Sequence, residues 1–352
     1  MIALRRPRAA AQLLHRPHAL APEGLVRRLL AVQAQDLAGA YLALRARTPG
    51  LTAAAVGAAL TEDRSLVVTW LCRGTLHLVA PGDLPWLLAL TAPGRLTASR
   101  RRLGQEGVTP DEAERGVAIV ERALAADGPL TRAQLAERLD AQGVRTAGQA
   151  LIHLLGLAGL HGLVVRGPVV AGGGQAFVLA RDWIGEPPGG APDRDAALAE
   201  LARRYLAAHG PAGPADLATW SGLPLRDARA GLSAIAGELV ELEDGLVDLA
   251  RREPVPERVP PRLLPAFDPY LLGWRDRSFA VPAQHARRVH PGGGMLRAAA
   301  TRDGVAVGTW SARRRDGRLQ VEFDPFAPLD ASTAAALDDE IADVARFEGL
   351  SR

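Results

Sequence analysis

The sequence contains no lysine and no asparagine; all 42 of its basic residues are arginine. Without lysine there is no Walker A loop, whose lysine reaches the phosphates of a bound nucleotide. Schiff-base chemistry through a lysine amine is excluded too, which leaves only the α-amino group for it. A single cysteine, Cys72, excludes an internal disulfide and any multi-cysteine zinc or iron–sulfur site. No apolar run approaches the roughly 18 residues that a membrane helix needs. The basic start (Arg5, Arg6, Arg8) lacks the apolar core and cleavage site of a signal peptide, so a cytoplasmic location is expected. Serine-elbow and H-E-x-x-H signatures are missing. The eight histidines are scattered without helical metal spacing, so no metal site is expected.

What is present is ordinary globular material: 352 residues, 48% hydrophobic and 23% charged. At roughly 150 residues per domain this suggests two to three domains. The net charge of +3 permits nucleic-acid binding without requiring it. Arginines cluster at Arg100–Arg102, Arg203–Arg204, Arg287–Arg288 and Arg313–Arg315. Guanidinium forks suit phosphate oxygens, and they equally suit a solvated face.

Along the chain, residues 22–35 read as an amphipathic helix and 52–60 as an alanine-rich one capped by Thr52. Residues 66–70 and 75–79 read as strands joined by a turn at Cys72-Arg73-Gly74. Helices are predicted over 111–126, from the Thr131 cap to 139, and over 148–160. Strands at 163–166 and 176–179 flank the Gly172-Gly173-Gly174 tip. The same order returns 82 residues later. Gly210-Pro211 echoes Gly128-Pro129, and Leu217-Ala218 answers Leu135-Ala136. In this second copy, helices are predicted over 195–208, 214–220 and 225–236, with two short strands within 239–249.

Helices followed by a hairpin, in repeated copies, predict tandem winged helices. A proline-rich stretch at 252–265 reads as a linker. Strands at 295–300, 305–310 and 319–323 follow, with Asp303-Gly304 and Asp316-Gly317 as hairpin turns and a closing helix over 331–347. The expected class is helix-rich α+β. The domains are 1–110 (a winged-helix-like domain carrying a glutamine motif), 111–190, 191–255, and a C-terminal antiparallel β unit over 256–352.

Three constellations combine polar groups with apolar surroundings. Gln33 and Gln35 share a face only if the chain is extended there, since a helix would separate them by roughly 200°. Asp36 is placed to cap a helix over 38–44. Two glutamines at a helix end also commonly bond the backbone. Trp70, Arg73, Thr75 and His77 sit on one hairpin, either as a contact surface or as a buried tryptophan with a satisfied histidine. Cys72 beside His77 is more often a small buried hydrophobe than a nucleophile. The third is Leu264-Pro265-Ala266-Phe267-Asp268-Pro269-Tyr270-Leu271-Leu272-Gly273-Trp274-Arg275-Asp276-Arg277, a rigid turn carrying aromatics and arginines.

Together with the late G-G-G … G-x-x-V-G-T-W hairpin, these stretches resemble the AlkZ-like bacterial DNA glycosylases. That superfamily of tandem winged-helix proteins includes YcaQ-type enzymes. The resemblance runs over nearly the whole chain. Gln33-Ala34-Gln35 looks like the AlkZ-type motif of glutamine, aliphatic residue, glutamine; YcaQ-type members carry aspartate second. The resemblance implies a monofunctional glycosylase that removes bulky N7-alkylguanine adducts or interstrand crosslinks, in DNA repair or antibiotic self-resistance. It implies Gln33 and Gln35 as catalytic residues. Trp70, Arg73, Thr75, His77, Asp268, Arg275 and Arg277 would contact DNA or the lesion in an open cleft, with Asp268 either assisting water or fixing its turn. The implied partner is double-stranded DNA containing alkylated guanine, bound at the nucleoid by a monomer, with no cofactor and no membrane. The competing readings are a non-catalytic winged-helix regulator and resistance by sequestration.

Overall fold

The computed structural model describes residues 2–170, 174–185 and 193–351. Of the expected wing tip, Gly172 and Gly173 lie outside the described residues. The chain forms two units. One comprises residues 1–56, 198–220 and 224–352, and the other residues 57–197 and 221–223.

The second unit is built around a helix–helix–hairpin motif. Helices Pro110–Asp127 and Arg132–Asp140 both start with capping boxes, Thr109 with Glu112 and Thr131 with Gln134. Each box satisfies two backbone N–H groups that a helix start leaves open. With the apolar helix Ala150–Leu160, they bury Leu124, Leu135, Leu139, Leu154 and Phe177 in one core. Antiparallel strands run in the order Leu76–Val79, Val67–Trp70, Val164–Val169, Gln175–Leu179. Leu130, just after Gly128-Pro129, bridges to Phe177. A 22-residue helix, Leu84–Gln105, was not visible in the sequence pattern because Pro93 and Gly94 punctuate it.

Most of the second copy lies in the first unit: helices Arg194–His209, Pro214–Ser221 and Leu225–Ala234, then strands Leu239–Glu241 and Val247–Leu249. Ala212 bridges to Val247 as Leu130 does to Phe177, so the 82-residue echo is a repeated backbone pairing. The third helix stops two residues before the expected Ala236.

The C-terminal β unit is a four-stranded antiparallel sheet in the order Arg318–Pro325, Val305–Arg315, Ala299–Arg302, Arg262–Leu264. Both Asp-Gly turns have positive φ at each residue (46° and 77°, 51° and 72°), the hairpin geometry that such pairs favour. Two expectations change. The strand predicted from Met295 begins at Ala299, and Arg262–Leu264, hidden among prolines, is a strand. Helix Ala331–Glu348 is capped by Asp330, which accepts from the Thr333 amide, and ends at Gly349 with φ 69°.

This helix docks through charge. Glu340, almost fully buried, accepts from Arg45 at 3.0 Å and Arg262 at 3.1 Å and from the Leu263 amide at 3.1 Å. Burial alone would raise its pKa, but Arg45, Arg16 and Arg262 together hold it below the usual carboxylate range. Helix-rich α+β with small antiparallel sheets is therefore the observed class.

Candidate functional site

The helix expected over 22–35 ends at Leu29. Leu30 closes it with φ 72°, and Val32–Gln33 is extended. Nothing in the sequence signals the break, since leucine rarely takes a positive φ. Its effect is chemical. On extended backbone the two glutamines reach one another, and Gln33 Nε2 donates to Gln35 Oε1 at 2.8 Å. Ala34 between them is buried, Gln33 is half-buried and Gln35 is exposed.

The next helix, Leu37–Arg45, begins immediately. Asp36 occupies its cap position but makes no side-chain cap bond, contrary to expectation. Gly39 explains how the turn fits. A Cβ there would stand 2.9 Å from Asp36 Oδ2 and 3.3 Å from the Ala266 carbonyl. The segment around Phe267 thus lies against the start of this helix, with Phe267 itself at φ 58°.

Asp268 is fully buried. It accepts from Arg47 through Nη2 at 2.7 Å and Nη1 at 2.9 Å, and from the Tyr270 amide at 2.8 Å. Arg47, also fully enclosed, donates further to Ala43 O and to Gln12 Oε1. Sequence reasoning missed Arg47 and Gln12, which stand far from Asp268 in the chain and carry no motif. Arg275 is exposed, its backbone N–H donating to Asp216 at 2.9 Å and its guanidinium making no ion pair with described residues. Arg277 is half-buried. Gln33, Gln35, Asp268, Arg275 and Arg277 all belong to the first unit.

Trp70, Arg73, Thr75 and His77 belong to the second. Trp70 is buried in a slot on the helix Ala150–Leu160. A Cβ at Gly159 would stand 2.6 Å from its ring, and Phe177 stacks at 6.3 Å. His77 pairs with Thr69 across the strands and is 2% exposed, its Nδ1 2.9 Å from the Thr75 carbonyl. Burial, helped by the Arg73 charge, pushes His77 down to about 3. Burial likewise pushes the Cys72 thiol up to about 11, which removes its nucleophilic character at neutral pH. Arg73 and Thr75, half-buried, are left at the turn, Arg73 with φ 58° and its backbone nitrogen 3.0 Å from where a Cβ on Gly222 would stand.

The arginine clusters differ from one another. Arg203 is taken by Glu238 and Glu200, Arg288 by Asp324, and Arg314 by Glu348. Arg100, Arg101 and Arg287 are exposed and form no ion pair with described residues. Among the described residues, no group of three or more histidine, cysteine, aspartate or glutamate side chains could hold a metal ion. None of the described helices is long and apolar enough to cross a membrane.

Three comparisons bear on this arrangement. Residues 26–347 match the family described as DNA glycosylase AlkZ-like. The chain is 30% identical over 350 residues to an interstrand DNA cross-link repair glycosylase of Streptomyces sahachiroi, covering 93% of this chain and 91% of that protein. Its fold superposes on the structure of Streptomyces sahachiroi DNA glycosylase AlkZ with a TM-score of 0.80 and 28% identity, covering 100% of this chain and 97% of that one.

Proposed function

Because this chain belongs to the AlkZ-like DNA glycosylase family, we propose that it hydrolyses the N-glycosidic bond of N7-alkylguanine in double-stranded DNA. Its preferred lesions in this reading are bulky adducts and interstrand crosslinks. The observation that carries it is the preset glutamine pair, two amides 2.8 Å apart on extended backbone with Gln35 exposed.

The substrate needs little more. Alkylation at N7 makes guanine cationic, so the base leaves as a neutral purine and a strong general acid is unnecessary. The C1′–N9 bond breaks with its electron pair going to the purine. A water oxygen bonds to C1′ and loses a proton to solvent, leaving an abasic site. Gln33 and Gln35 orient that water, and their carbonyl dipoles stabilise the positive charge developing on the sugar. Preorganised dipoles of this kind contribute on the order of a few kcal/mol.

With no lysine in the chain, the product is an abasic site without lyase cleavage through a lysine Schiff base. Arg73, Thr75, Arg275 and Arg277 contact DNA or the lesion in this reading. Trp70 and His77 support the hairpin from its buried face, and Asp268 holds its turn through Arg47. Exposed arginines such as Arg100, Arg101 and Arg287 add phosphate contacts, which makes binding weaken with salt.

The test is base release from a duplex carrying one N7-methylguanine and from the same duplex carrying a bulky N7 adduct or a crosslink. Gln33→Ala should lower base release by about 10²–10³-fold while DNA binding persists. Full activity in that variant removes the glutamines from the mechanism. Salt-sensitive binding with no release from any substrate would establish a non-catalytic DNA binder instead.

A further inference from the structure

Apart from the glutamine pair, the first unit holds a cavity of about 440 Å³ that the mechanism above does not use. Its size suits a small ligand, since such sites span about 300–1,000 Å³. Five basic side chains line it, His15, His18, Arg28, Arg251 and Arg252, against one carboxylate, Glu253. The remaining wall is largely apolar.

The local charges do not cancel. Arg252 is met by Asp248. Glu253 is exposed and lies 3.7 Å from the His18 ring, and its charge reaches Arg28 and His15 without a direct ion pair to either. Arg251 is exposed and forms no ion pair with described residues. Arg28 is the telling group. Much of it is out of solvent, and its Nη1 donates to the Ala207 carbonyl at 2.6 Å, yet no carboxylate of the described residues pairs with it. Burial and the neighbouring Arg252 push it down to about 10. Burial lowers the His15 pKa, and its buried Nδ1 has no hydrogen-bond partner among described residues. A partly desolvated cation hydrogen-bonded only to a carbonyl, with Glu253 acting on it without direct contact, is costly, and an entering anion offsets that cost. Guanidinium forks bind phosphate oxygens bidentately.

We propose that this cavity binds a phosphate group, held by Arg28 and Arg251. The apolar wall receives the sugar or base attached to that phosphate. Its source is a phosphate of the DNA substrate, which rests on the glycosylase reading, or a free phosphate of the same chemistry.

Gly24 gives a clean test. It lines the cavity, and nothing lies within 4 Å of where its Cβ would stand. Glutamate is also a better helix former than glycine. Gly24→Glu therefore sets a carboxylate in the cavity without removing a contact, and Gly24→Ala is its uncharged control. Arg28→Met is the complementary variant.

Affinity for an undamaged duplex is measured across salt concentrations. Thermal unfolding is measured with inorganic phosphate against chloride at matched ionic strength. For a DNA phosphate, Gly24→Glu and Arg28→Met each lower the slope of log affinity against log salt by about 0.9, or about fivefold in affinity near 0.15 M salt, and Gly24→Ala does not. For a free phosphate, the slope stays put, and phosphate stabilises the wild type and Gly24→Ala but not Gly24→Glu. No change in either measurement overturns the proposal. Neither measurement depends on base release, so a failed glycosylase assay leaves this result readable by itself.

Discussion

Lowering the pH from 7.5 to 5.0 should destabilise this protein by about 2 kcal/mol through His77 alone. Burial holds the folded-state value at about 3, against about 6.5 for an unfolded histidine. The unfolded chain therefore binds the proton first. Stability is fully present above about pH 6.5 and falls with pH until about 3, where the folded ring also protonates. From about 6.5 to 5.0 is 1.5 pH units, and at about 1.36 kcal/mol per unit this gives about 2 kcal/mol. Other histidines are shifted in the same direction, His15, His153, His161 and His290 among them. The measurement is thus a difference between urea unfolding curves of wild type and His77→Gln at the two pH values. The variant should lose about 2 kcal/mol less than wild type on acidification. Equal losses would show that His77 is open to solvent and free to ionise, and it would then return as a cationic contact for DNA. A neutral His77 throughout this range also means that any acidic limb in base release arises elsewhere.

Two further outcomes follow from the packing. Asp268→Asn leaves Arg47 enclosed without its carboxylate, and urea unfolding should show a loss of about 3–5 kcal/mol. The double variant Arg47→Met/Asp268→Asn should be more stable than the single one, and strict additivity of the two changes would refute the pairing. Gly159→Ala sets a methyl 2.6 Å from the Trp70 ring. It should cost about 1–3 kcal/mol by overpacking, and a smaller residue at 70, as in Trp70→Phe, should recover part of that loss.

Much of this architecture was legible in the sequence, and the exceptions share a cause. The Thr131 cap, the Asp-Gly turns and the 82-residue echo are local signals, and they marked a true helix start, true turns and a repeated pairing. The break at Leu30 was not legible, because no glycine or proline stands there to mark the positive φ that this fully buried leucine takes. The extended segment it creates turns Gln33 and Gln35 from opposite faces into one pair. Likewise Asp268 could be read as a turn residue or a participant in chemistry. The decisive fact is Arg47, a residue that looks from sequence like any arginine beyond a helix end. Trp70 and His77 showed the limit of residue type as evidence, since stacking and proton-carrying groups are equally at home in a core.

The route of the chain has a consequence for synthesis. Residues 57–197, the bulk of the second unit, are inserted between segments of the first. Arg45 finds its carboxylate partner only at Glu340, 295 positions later. At roughly 5–20 residues per second, the ribosome delivers that partner about 15–60 s after the arginine. The nascent first unit therefore spends most of translation with a cationic residue destined for its interior still unneutralised. The inserted unit, whose core ends by Leu179, can close well before its host does.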